Sequence, residues 1–416
     1  MLRSGLKIDT GDYGSRSRTA ILTQFKASNQ ARTRGSLPLT NDSSENVVLR
    51  RRLRAAGISV ARTLARTNRL EGMYLSGSLY ANLATDRSDV DLYVLAEESA
   101  LRSLNVPGRI SATGRDIVHI RRHGITVDIE PRTVERLRHL VDKYSVFTFD
   151  LGHPDQVSLS PVELNDVVRL YLGESIGASD IVRDLQQRLN RTVLRQLVIT
   201  HYASRCNHLL RDILGQWQRG DSVSLAHVAR NVLNLALQAF AAGVDEIYVG
   251  DKWVWVKLAR SMRGLSYRNL VGVAFGVRSR VHYGALSTNL IRVAEDWILT
   301  SQALLCAALL DGWEAASASV HWQPLLFNSA RSKTSMRRSP LWFPLRTRNE
   351  VYIASHDEAL TAGVDGLRLW SLCDGRSADA VVDAMLSILG NGRRQTRISV
   401  ERYLNRLVKL RAVMAS

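Results

Sequence analysis

Lysine, cysteine and long apolar runs are scarce in this chain. Lys supplies 7 of the 56 basic residues, and Arg supplies the rest. A bias of that kind reflects genome composition as much as function. Three cysteines (Cys206, Cys306 and Cys373) among 416 residues exclude a disulfide scaffold and fit a reducing compartment. The unbroken apolar run Ala303–Leu310 has eight residues, too few to span a bilayer, so a cytoplasmic protein without a membrane partner is expected. No apolar stretch follows the N-terminus, so no secretory signal is expected either. Walker A, Gly-x-Gly-x-x-Gly and Gly-x-Ser-x-Gly elements are missing from any fitting context, and Ser–His–Asp catalysis has no support.

An excess of positive charge is present, and it is uneven. The formal net charge is +17, and residues 1–70 hold 14 Lys/Arg against 4 Asp/Glu. Residues 321–348 hold 6 basic residues and no acid. Such clusters attract nucleic acid, anionic lipid or acidic peptide, or simply form a solvated tail and a solvated linker. Apolar residues at 45% and charged residues at 23% describe a globular chain, long enough for two or three domains.

The pattern along the chain divides it into five parts. Residues 1–45 are polar, basic and largely irregular. From Asn46 to Leu70 apolar residues fall near helical spacing, with a break expected at Gly57. Residues 72–143 alternate strand and helix signals: strands at Met73–Leu75 and Val90–Leu95, a hairpin turning at His123-Gly124, and a helix over Thr133–Tyr144. From Ser160 the chain reads as nearly all helix, opened by Ser160-Pro161-Val162-Glu163. Further helices follow over Ser224–Ala242, stopped by Gly243, and over Ala285–Leu310. Pro324, Pro340 and Pro344 place a linker at 320–345. The domains expected are therefore 46–150, 151–319 and 346–416.

The chemistry concentrates in Gly77-Ser78 and, ten residues on, Asp89-Val90-Asp91. On a strand, Asp89 and Asp91 point to the same face. Two neighbouring carboxylates raise each other's pKa unless a cation neutralises them. Gly77 allows close backbone approach, and Ser78 can open a helix whose N–H groups face an anion. A phosphate cradle beside a carboxylate pair suits Mg²⁺-dependent phosphoryl chemistry. A third acid is expected on a later strand. Asp128, between Val127 and Ile129, is preferred to Glu130, which shares its face at the strand exit.

Gly77-Ser78, then Ser88-Asp89-Val90-Asp91-Leu92, then Asp128 resembles the signature of the DNA polymerase beta-like nucleotidyltransferases over residues 46–145. The chain departs from it at Tyr80-Ala81-Asn82, where many members carry a small residue, Arg and Gly. The helical region 160–315 is similar to the second domain of the antibiotic nucleotidyltransferases. There Tyr248-Val249-Gly250-Asp251-Lys252-Trp253 resembles an aromatic-x-x-x-Lys-Trp turn. The resemblance implies an α+β nucleotidyltransferase core (a small mixed sheet flanked by helices), an all-α domain forming the other cleft wall, and two Mg²⁺ ions held by Asp89, Asp91 and Asp128. It also implies Asp128 as general base, and Gly77, Ser78 and Lys252 as nucleotide-binding residues. The plainer alternative for Lys252 is a side chain lying along Trp253.

Leu367-Arg368-Leu369-Trp370-Ser371-Leu372-Cys373-Asp374-Gly375, Ser377–Val382 and Val400–Leu407 resemble the small winged-helix domain of the coenzyme PQQ synthesis protein D family, the RiPP recognition element. That resemblance implies capture of a precursor leader peptide by strand addition. The combined expectation is transfer of a nucleoside monophosphate from an NTP, with ATP as the expected donor, to a hydroxyl on a ribosomal peptide. Three alternatives stand beside it: an aminoglycoside-type small acceptor, a non-catalytic peptide- or nucleotide-binding protein, and DNA or RNA binding through Arg402, Arg406 and Arg411. His201, Cys206 and His208 are declined as a zinc site, because Cys206 points away from the histidines' face.

Overall fold

A computed structural model describes residues 44–106, 109–112, 117–145, 159–177, 180–262, 265–275, 286–314, 335–347, 350–390 and 394–415. Residues 1–43 of the expected irregular segment 1–45 lie outside the described residues, as do 320–334 of the expected linker.

Helix α1 (Ser44–Thr67) runs straight through Gly57. Its apolar stripe of Leu53, Ala56, Val60, Ala61 and Leu64 is buried against one face of a sheet. The expected break is thus corrected. A Cβ at Gly57 would lie 2.7 Å from Leu75 Cδ2 and 3.0 Å from Val90 Cγ1, so the glycine lets the helix settle onto the strands.

That sheet is mixed and six-stranded. It comprises β1 (Gly72–Ser76), β2 (Val90–Ala96), β3 (Arg109–Ala112), β4 (Val118–Arg122), β5 (Ile125–Thr133) and β6 (Glu174–Ser175), in the order β3-β4-β5-β2-β1-β6. Only β2 and β5 pair in parallel. The β4–β5 turn places His123 at φ 51° and Gly124 at φ 77°, the two left-handed residues that a tight hairpin needs. Alternation along the strands sorts the side chains. Leu75, Leu92, Val94, Val127 and Ile129 face α1, while Tyr74, Tyr93 and Leu95 face a second helical layer.

The short α2 (Glu98–Arg102) follows β2 and buries none of its residues, and the second layer begins with α3 (Val134–Ser145) and α4 (Pro161–Leu172). Helix α4 opens with the expected capping box: Ser160 Oγ accepts from the Glu163 N–H, and the Glu163 carboxylate accepts from the Ser160 N–H. Helices α5 (Asp180–Gln187), α6 (Arg191–His208), α7 (Leu210–Arg219), α8 (Ser222–Gly243), α9 (Val254–Ser261), α10 (Leu265–Ala274) and α11 (Leu286–Leu310) follow. Within α11, Leu290–Leu310 is long and apolar enough to cross a membrane by length and composition alone, but it is mostly buried within the protein, as a core helix is. Its polar Thr300, Ser301 and Gln302 interrupt the apolar pattern yet are wholly buried in the protein. Gly243 does not stop α8 by a left-handed turn. It lies against Gly312, whose added Cβ would stand 2.5 Å from the Gly243 Cα.

The C-terminal part carries β7 (Ser335–Arg338), β8 (Phe343–Arg346), β9 (Val351–Ala354), β10 (Ala359–Thr361), α12 (Gly363–Ser371), β11 (Asp374–Ser377), α13 (Ala378–Leu389), α14 (Arg394–Lys409) and β12 (Val413–Ala415). They form two three-stranded sheets, β10-β9-β8 and β11-β7-β12. Residues 335–345, expected as linker, are therefore strand-forming. The reason is that their arginines are internal. Buried Arg338 donates to Gln302 Oε1 on α11 and to the Ser371 carbonyl on α12, and Arg346 donates to the Leu309 carbonyl. Their guanidiniums also lie over the rings of Trp370 and Trp313. One apolar core runs from Tyr74 to Val413, so the expected boundaries near 150 and 346 do not separate cores.

Candidate active site

Strand register brings the expected residues together. Ser76 on β1, Asp91 on β2, Asp128 on β5 and His119 on β4 are Cα partners in one row across four strands. Neighbouring strands lie about 4.8 Å apart, so Asp91 and Asp128 stand side by side. Asp89 sits one residue before β2 and, two residues from Asp91, faces the same side. Oγ of Ser88 caps the turn before it, accepting from the Thr85 N–H at 2.8 Å.

The environments of these acids differ. Burial pushes the Asp91 carboxyl up to about 6, with Arg169 opposing the rise and Asp89 and Glu130 adding to it. Asp128 is also raised, chiefly by burial and further by Asp89, while the His119 hydrogen bond lowers it. His119 Nδ1 lies 2.7 Å from Asp128 Oδ1. Arg169, on α4, reaches into the row with Nη1 3.0 Å from Asp91 Oδ1 and 2.8 Å from the Tyr93 hydroxyl.

Glu130, one row along, is already engaged. Its carboxylate accepts from Arg132 Nη2 at 2.8 Å and from the Tyr93 hydroxyl at 3.1 Å, and Arg169 lies 3.6 Å away. Arg132 and Arg136 also pair with the buried Asp166. Of the two acids weighed on β5, Asp128 is the one beside Asp91.

Gly77 closes the site on the β1 side. Its φ is +81°, and an added Cβ would fall 1.6 Å from Asp91 Oδ2. The backbone therefore touches the carboxylate where no other residue fits. Ser78 is buried in the turn that follows. The expected helix after Gly77-Ser78 is corrected to a single 3₁₀ turn, Gly77–Leu79. Asn82 at φ 59° ends the local winding, and the Leu83 N–H returns to the Ser78 carbonyl.

The divergent Tyr80-Ala81-Asn82 segment is a docking point for the helical layer. The Tyr80 hydroxyl bonds Glu174, which also pairs with Arg54. Arg260 of α9 donates to the carbonyls of Ala81 and Asn82, and Ala81 and Leu83 pack on Tyr248. Arg169 also lies over the Tyr248 ring, 6.0 Å from its centroid. Tyr248 is thereby a wall of the carboxylate site.

Lys252 is exposed, with its ammonium 5.1 Å from the Trp253 ring centroid, the alternative geometry anticipated for it. The buried lysine nearby is Lys257, which donates to Gln238 Oε1 and the Tyr248 carbonyl, each at 2.7 Å. Burial brings its pKa down to about 7. Sequence reasoning missed Arg169, His119 and Lys257, since no motif marks them. The alternation Val118, Ile120 could have drawn attention to His119 between them. Among the described residues, no three His, Cys, Asp or Glu side chains are gathered as a metal-binding group. Burial pushes the thiols of Cys306 and Cys373 up to about 12, as expected of inert core cysteines. No protein-family model matches the chain, and no curated protein matches it.

Proposed function

We propose that the chain is a metal-dependent nucleotidyltransferase that moves NMP from an NTP to an acceptor hydroxyl and releases pyrophosphate. The observation that carries this reading is the row Asp91–Asp128, with Asp89 at its mouth and the Gly77 backbone pressed against Asp91. Three carboxylates on one face, two of them raised by burial and further by Asp89, are a hard-oxygen donor set whose charge Arg169 offsets only in part. The oxygen chemistry of that set suits Mg²⁺, but the three carboxylates are not gathered as a metal-binding group in this arrangement and Asp91 is paired with Arg169; Asp89, Asp91 and Asp128 are the residues that would hold two ions if they drew together. Bound there, the ions would supply Lewis-acid stabilisation of the phosphoryl oxygens. Asp128 takes the acceptor proton, and His119 shares it across their hydrogen bond. The raised pKa of Asp128 brings it nearer to working pH, as a general base requires. Gly77 and Ser78 border the place for the terminal phosphates, and Arg169 and Tyr248 form the opposite wall.

A peptide acceptor is supported by β10. The Ala362 N–H bonds the Val351 carbonyl and the Ser355 N–H bonds the Glu358 carbonyl. By alternation, the backbone groups of Ala359 and Thr361 then face away from β9 at the sheet's edge. Such an edge suits an added peptide strand, in keeping with a winged-helix leader-binding role.

A second reading is favoured by Arg169, which already neutralises Asp91. In that reading the chain binds nucleotide or peptide without catalysis. Incubating the protein with Mg²⁺, each of the four NTPs and candidate peptides, and measuring pyrophosphate, separates the two. Release that depends on NTP, peptide and metal supports transfer. NTP binding with no release under any combination supports the non-catalytic reading.

A further inference from the structure

Along helix α1, and bordered by Arg122 at the end of β4, runs a groove of about 660 Å³ lined by Arg51, Arg54, Arg62 and Arg66, with Ala55, Ile58, Ser59 and Thr63 between them. We infer that this groove binds a single nucleic-acid strand through its phosphates, at a site separate from the carboxylate row. The groove lies on the α1 side of the sheet, while the carboxylates occupy the other face.

Charge is the first argument. No carboxylate lines the groove. Arg54 is committed to Glu174, and Arg122 donates to Ser59 Oγ at 3.0 Å while keeping its charge. Arg51, Arg62 and Arg66 are exposed and have no ion-pair partner among the described residues. Four uncompensated guanidiniums around one concavity form an electrostatic trap for a polyanion.

Shape is the second. Arg51 and Arg66 are fifteen residues apart, about 22 Å along the helix. That span exceeds what a mononucleotide needs. The groove is open to solvent along that length, so an extended strand can follow it. A phosphodiester strand carries one charge per nucleotide whatever its sequence, which suits a row of cations lacking aromatic platforms. Phosphates contacted in this way position a strand and do not read its bases.

The test is fluorescence anisotropy of the full chain with a labelled 20-nucleotide single-stranded RNA of mixed sequence, in 50–200 mM salt. Arg62→Gln with Arg66→Gln removes two uncompensated charges from an exposed helix face, and far-UV circular dichroism checks that the helix persists. Each phosphate contact contributes about −0.7 to the slope of log K against log salt. The double variant should weaken binding at least tenfold at 50 mM salt, and its slope should be shallower by about 1.4. Arg402→Gln with Arg406→Gln, on α14, should leave affinity and slope unchanged, and 1 mM ATP should not displace the RNA. Unchanged binding in the Arg62/Arg66 variant, loss confined to the Arg402/Arg406 variant, or displacement by ATP would each overturn the proposal. So would tighter binding of a poly-glutamate peptide or of phosphatidylserine vesicles than of RNA.

Discussion

Replacing Asp91 by Asn should stabilise the protein at neutral pH. An aspartate whose carboxyl is raised from 3.8 to about 6 in the folded chain is worse off charged there than in the unfolded chain. That difference corresponds to about 3 kcal/mol. The sign follows from proton counting: between about pH 4 and 6 the folded state holds the proton more tightly, so stability falls as pH rises through that window. Above pH 6 the full cost is present. Asn keeps the shape and removes the charge, but Arg169 then loses its 3.0 Å partner and keeps Glu130 as its nearest acid. The expected gain at pH 7.5 is therefore smaller, about 1–2 kcal/mol, and it should shrink to near zero at about pH 3, below both pKa values, where folded and unfolded carboxyls alike hold the proton. Urea denaturation of both proteins at the two pH values measures this directly. If Asp91→Asn is less stable at pH 7.5 by more than at about pH 3, the carboxylate is a stabilising ion-pair member. The argument that it is held at a cost for binding a cation would then be wrong.

Gly77→Ala places a methyl 1.6 Å from Asp91 Oδ2 at a left-handed φ. It should lower stability by about 2 kcal/mol or more and abolish NTP-dependent pyrophosphate release, followed by denaturation and a pyrophosphate assay. Asp128→Asn should lower kcat by roughly 10²-fold or more with a smaller change in NTP affinity. Glu130→Gln, which unbalances Arg132 and Arg169, should instead cost stability, about 1–3 kcal/mol. If Glu130→Gln silences turnover and Asp128→Asn is mild, the base is Glu130. Ending the chain at Arg346 removes Leu367, Leu369 and Trp370 from the shared core and leaves Arg338 without its Ser371 acceptor. That fragment should aggregate or lose cooperative unfolding in size-exclusion and circular-dichroism experiments, and a monodisperse, cooperatively melting fragment would show the core to be divisible after all.

Local rules carried the elements well. Ser160 and Pro161 opened a helix because capping is decided within four residues. His123-Gly124 turned a hairpin because two left-handed residues leave few other choices. The same local reasoning failed at Gly57, and at Gly243 it placed the end of the helix rightly but for the wrong reason. A glycine that permits close packing and one that ends a helix look alike in sequence, and the surface approaching it belongs to a distant segment. Arg338 and Arg346 misled in a similar way. A basic residue near prolines reads as solvated linker until the carbonyls and indole rings that receive it are known.

For the site, the sequence by itself determined which acids share a face. Alternation has a period of two, so Asp89 joins Asp91 and Asp128 joins Glu130 whatever surrounds them. It could not say which acid on β5 stands beside Asp91, because strand register is set by pairing across 37 residues of chain. The tertiary structure decided that, along with the neighbours that set charge: Arg169 from α4 on Asp91, His119 from β4 on Asp128, and Arg132 on Glu130. Electrostatic environment is a property of distance in space, and distance in space between separate elements is what a linear sequence leaves open.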